Sequence, residues 1–73
     1  MDNTVADQPI AQARANISEL CKHVRFLGQI FFLTSRGKRE VAVVPVELGE
    51  LAEKAGGSAT AISILKEHLE TRP

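Results

Sequence analysis

Cys21 and His23 bring a thiol and an imidazole within two positions of each other, a combination that in other settings ligates a soft metal ion. Their spacing argues against it here. On a helix, side chains at i and i+2 point in different directions, which sends Cys21 to an apolar stripe and His23 to the other side. His68, the other histidine, lies far along the chain. No Ser, His and Asp carry a recognisable nucleophile signature, and Gly56-Gly57 lacks the following lysine of a phosphate-cradling loop. The expectation is a chain without catalysis, cofactor or metal.

The remaining chemistry is charge. Formal net charge is zero, but its distribution is uneven. From Gln8 to Arg39, six basic residues (Arg14, Lys22, Arg25, Arg36, Lys38, Arg39) face one acid, Glu19. From Glu40 to Pro73, three basic residues face six acids. A basic first half and an acidic second half suggest two surfaces for two kinds of partner. Ordinary solvated surface would give the same counts.

Several short elements must position these groups. Ala6 to Ile10 suits a short strand, with Pro9 tolerable at an edge or an end. From Ala11 the period changes, and Ala13, Ile17, Leu20, Cys21, Val24 and Leu27 form an apolar stripe along one helix. Arg14, Ser18, Lys22 and Arg25 align opposite it. Gly28 supplies the left-handed conformation that commonly ends a helix. Ile30 to Thr34 and Glu40 to Val44 then read as a hairpin joined by Ser35 to Arg39, with Gly37 at a positive φ and a strongly cationic tip. Phe31 and Phe32 must point to opposite faces of their strand. After Pro45, Val46 to Ala55 repeats apolar residues at helical spacing, although Gly49 weakens it. Gly56-Gly57 is the obvious joint, and Ser58 suits the cap of a last helix running to about Thr71 with Ile62, Leu65 and Leu69 on one side.

Two local strings carry a resemblance. Ala13-Arg14-Ala15-Asn16-Ile17-Ser18-Glu19-Leu20 resembles the A-R-x-N-L/I-S-x-L opening of the first helix in the Phd/YefM antitoxin family. Leu33-Thr34-Ser35-Arg36-Gly37-Lys38-Arg39-Glu40-Val41-Ala42-Val43-Val44-Pro45 is similar to that family's hairpin, at the family's spacing. The likeness covers Ile10 to about Leu51. Ser35 stands where the family often has a basic residue, the second helix lacks the usual aromatic residue, and the region after Gly57 shares no string with a family tail.

The resemblance implies an α+β domain of short strand, helix, β-hairpin and helix, followed by a C-terminal helix. It implies a dimerising, DNA-binding part over residues 1–55 and a toxin-binding segment over residues 56–73. The implied function is that of a type II antitoxin, which silences a cognate toxin by direct binding and represses its own operon at operator DNA. Arg14, Asn16, Arg36, Lys38 and Arg39 become the DNA-binding candidates. Arg14 is placed in the first helical turns, where free backbone N–H groups also favour a phosphate. Ile62, Leu65 and Leu69 are the toxin-binding candidates, and packing against the domain is their plainer alternative. A transcriptional regulator without a toxin, or a protein-interaction module, would account for the same charges.

A chain of 73 residues with three aromatic residues has a core of Val, Ile, Leu and Ala, and a second copy is the simplest way to complete it. One cysteine cannot form an internal disulfide, no secretory signal is visible, and apolar runs such as Ile30 to Leu33 are too short to span a bilayer. A cytoplasmic protein is expected.

Overall fold

A computed structural model describes residues 5–71. The order of elements is β1 (Val5–Pro9), α1 (Ile10–Ala15), α2 (Ile17–Leu27), β2 (Ile30–Ser35), β3 (Lys38–Val43), α3 (Val46–Lys54) and α4 (Ser58–Glu70). The fold is α+β, with a three-stranded sheet in the order β1-β2-β3. β1 pairs parallel to β2, so the chain must cross back between them, and α1 and α2 make that crossing. β2 and β3 pair antiparallel.

Register explains the core. Ala6, Phe31 and Val43 stand opposite one another across the three strands, and Gln8, Leu33 and Val41 form another such row on the same face. Ala13, Leu20 and Val24 pack on this face against Phe31, flanked by Ala6, Leu33 and Val43. The next residue along each strand gives the opposite face: Asp7, Phe32 and Ala42. The two phenylalanines therefore part as their positions require, Phe31 into the core and Phe32, half-buried, onto the face away from it.

The single helix expected from Ala11 to Leu27 is two helices. Asn16, at φ −131 and ψ 42, interrupts it, donating its backbone N–H to Gln12 and Ala13 while its carbonyl accepts from Leu20 and starts α2. The break also corrects the apolar stripe. Only Ala13, Leu20 and Val24 of its six members are buried, because the chain changes direction at Asn16 and so narrow a sheet covers few rows of α2. Ile17, Cys21 and Leu27 are exposed in the single chain. The same interruption leaves Arg14 on α1, out of line with Ser18, Lys22 and Arg25 on α2. Gly28 ends α2 in the left-handed conformation, its N–H bonded to the carbonyl of Val24.

The hairpin is tighter than the five-residue link read from the sequence. Arg36 and Gly37 form a two-residue turn, both at positive φ (54 and 81), which matches the right-handed twist of the strands beside it. Thr34 lies opposite Arg39 and Leu33 opposite Val41, leaving Glu40 as the extra residue of a bulge.

After Pro45, α3 makes its main tertiary contacts with α4, and neither helix buries a residue. Gly57, not Ser58, precedes the first turn of α4 as its cap, without a side-chain hydrogen bond. Its φ of 107 is one that Ser58 could not adopt without strain.

Candidate nucleic-acid interface

Topology decides which basic groups share a surface. β1 and β2 are parallel, and Pro9 lies opposite Thr34, so α1 begins at the same end of the sheet as the hairpin turn. That end carries Arg14 in the last turn of α1, Asn16 in the break, and Arg36 and Lys38 on the turn. All four are exposed. α2 then runs back about 16 Å, at 1.5 Å per residue, carrying Lys22 and Arg25 toward the other end. Arg25 stacks on the ring of its neighbour Phe26, 5.0 Å from the ring centroid.

Arg14 does not lie where a helix presents free N–H groups. It belongs to the last turn of a six-residue helix whose free N–H groups are in the first turn, on Ile10 to Gln12. Its positive charge, not a helix terminus, is what it can offer a phosphate. Arg14, Arg36 and Lys38 have no ion-pair partner among the described residues, so their charges are free for an external anion.

Arg39 differs. Its Nε and Nη2 donate to the two carboxylate oxygens of Asp7, both at 2.9 Å, and its guanidinium lies 3.8 Å from the centroid of Phe32. The hydrogen bonds from Arg39 lower the Asp7 pKa, and the same contact raises that of Arg39. Arg39 thus faces the sheet surface away from α1 and α2, with its charge answered internally.

No family model, curated protein or solved structure matches this chain.

The apolar candidates lie elsewhere. Val43 pairs with Phe31 near the start of β2, so α3 sets out from the end of the sheet remote from the hairpin turn. On α4, Ala61 is half-buried, whereas Ile62, Leu65 and Leu69 are each more than half exposed. α4 packs on α3, and each of these three side chains keeps about half of its surface exposed in the single chain. Complete burial of such a side chain is worth about 1.5–3 kcal/mol, so an occupant of this surface would gain on the order of 1 kcal/mol from each.

The side chains of Cys21 and His23 diverge. Cys21 faces a trough shared with Val24, Val43, Pro45 and Val46. His23 faces a separate cleft with Gln8, Asn16, Glu19, Leu20 and Phe31. That grouping was missed in the sequence, although Glu19 and His23 stand one helical turn apart. No helix among the described residues is long and apolar enough to cross a membrane.

Proposed function

We propose that this chain is a Phd/YefM-type antitoxin: a dimeric repressor that binds operator DNA through its basic end and a toxin through its C-terminal segment. The observation that carries the reading is the separation of two surfaces. Arg14, Asn16, Arg36 and Lys38 gather at one end of the sheet, and the α3–α4 pair departs from the other with Ile62, Leu65 and Leu69 uncovered. The two strings that resemble the family include all four of the basic-end residues.

Each surface suits its assigned partner physically. Free Lys and Arg charges on a duplex release condensed counterions, which supplies sequence-tolerant affinity. A two-fold dimer would present the basic end twice, as a palindromic operator requires. Uncovered aliphatic residues at i, i+3 and i+7 are the pattern by which a helix fills a groove. Burial also favours association, since among the described residues only Ala13, Leu20, Val24 and Phe31 are buried in the single chain.

The test has two arms. The purified chain is titrated against its own upstream DNA at several salt concentrations, and it is co-expressed with the product of the adjacent small open reading frame. Salt-sensitive binding with a stable complex supports the reading. DNA binding without a complex leaves a plain regulator, and failure in both arms overturns the proposal.

A further inference from the structure

We infer that the trough between α2 and β3 is closed by a second copy of this chain, through a two-fold interface in which Arg25 of each copy meets Glu47 of the other. The inference rests on the dimeric reading above and adds which surface makes the dimer and how the copies are oriented. α1 and α2 pack on β1 and β2, which leaves the β3 side of the core face uncovered. There Cys21, Val24 and Arg25 form one wall of a trough of about 490 Å³, and the run from Val43 to Glu47 forms the other. Ile17, one helical turn before Cys21, and Val41, two residues before Val43 on the same strand face, extend this apolar edge toward the hairpin turn. They are 47% and 57% exposed, and Val46 at the far end is 73% exposed.

Charge says what occupies the trough. One wall carries a cation, Arg25, and the other an anion, Glu47. Neither has an ion-pair partner among the described residues. A surface with one charge of each sign on opposite walls is complementary to itself. A two-fold axis along the trough exchanges the walls, setting each Arg25 against Glu47 of the other copy and each α2 against the other β3. Arg25 keeps its stacking on Phe26 in that arrangement, since a guanidinium stacks through its faces and donates hydrogen bonds from its edges.

Direction and area agree with charge. α2 and β3 both run away from the hairpin turn, so an axis along them leaves the two basic ends, with Arg14, Arg36 and Lys38, at the same end of the dimer. An axis across the trough would instead set Arg25 against Arg25 and send the basic ends to opposite ends. The chain exposes 5847 Å². A folded monomer of this mass exposes about 4,400 Å², and a stable interface takes about 800 Å² from each partner, so the excess is large enough to supply one.

Sedimentation equilibrium of the full chain over a dilution series tests the inference. Arg25→Glu and Glu47→Arg should each raise the dimer dissociation constant roughly tenfold or more, because like charges then face each other at two places per dimer. The double variant, with the pair reversed, should return close to the parent value. Such rescue separates a broken pair from a broken fold, since two independent lesions would add. Val46→Asp should weaken the dimer as the single reversals do, and Lys66→Glu, a charge reversal on α4, should leave it unchanged. A dimeric parent unaffected by either reversal, or a double variant weaker than both singles, overturns this surface and leaves the dimeric reading standing. A parent that stays monomeric at every concentration overturns both. Reversals that spare the dimer but abolish toxin capture give the trough to the toxin and overturn the inference as well.

Discussion

Arg39 on β3 holds Asp7 on β1 across the whole width of the sheet, through two hydrogen bonds of 2.9 Å and over the ring of Phe32 on the strand between. The contact ties the two outer strands together and removes one cation from those available to an anionic partner. It also has a pH signature. Hydrogen bonding to Arg39 depresses the folded-state pKa of Asp7, so the pair contributes stability above the ordinary aspartate range near pH 4 and loses it as pH falls through the depressed value. Both side chains are about half exposed, which keeps that contribution small. In Arg39→Ala, the Asp7 carboxyl should titrate upward toward its ordinary value, as followed by carbon NMR. An unmoved Asp7 titration would mean that the pair does not persist in solution.

Arg14→Ala should weaken binding to the native operator across sequence variants and lower the salt slope by about one unit for each phosphate it no longer neutralises. Lys38→Ala should act in the same direction with a smaller effect. Arg39→Ala should change DNA affinity least of the three, because Asp7 already answers that charge. Binding isotherms at several salt concentrations measure all three. An Arg14→Ala protein that binds as tightly as the parent throughout would remove Arg14 from the interface.

Arg36 occupies the left-handed region at φ 54, where a residue with a Cβ pays about 1–2 kcal/mol. Asparagine tolerates that conformation better, and Asn-Gly is the preferred pair for a two-residue hairpin turn. Arg36→Asn should therefore raise stability by about 1 kcal/mol, seen as a higher denaturant midpoint at unchanged slope, while weakening operator binding. Destabilisation by this substitution would show that the turn has a different geometry.

How far the sequence could be read depended on the range of each cause. Gly28, the Gly37 turn and the parting of Phe31 from Phe32 follow from one residue or from strict alternation, and all three appear in the structure. The break at Asn16 left no such trace, because the apolar spacing from Ala13 through Leu20 continues as though the helix did. Exposure of Ile17 and Cys21 could not be anticipated without the break and the narrowness of the sheet. Arg39 was grouped with the hairpin cations because its partner lies 32 residues away and is brought near only by the β1–β2 pairing.

A dimer should be the smallest stable unit. Among the described residues, burial in the single chain is confined to four, and Ile17, Leu27 and Val41 are about half exposed or more. Sedimentation equilibrium should return twice the chain mass at micromolar concentration, with a melting temperature that rises with protein concentration. A monomer that melts cooperatively and independently of concentration would contradict this.

The C-terminal helix makes the most separable claim. At 13 residues α4 is near the length at which an isolated helix in water is marginal, and it is joined to α3 through two glycines at positive φ. Its packing partner within the chain is α3, which itself buries nothing, so little of the sheet domain depends on it. Amide exchange should accordingly be faster in α4 than in α2 when no partner is bound, and it should slow on toxin binding. Glu67 and Glu70 beside Leu69 would favour a toxin with a basic surface, as an RNA-cleaving one needs. Deleting residues 58–73 should abolish toxin capture and leave a dimer that binds its operator with the parent's salt dependence. Full capture by the truncated chain would move the toxin site off α4. Loss of dimerisation and DNA binding together would make α4 part of the folded core, since only a helix on which the sheet domain relies could remove both at once.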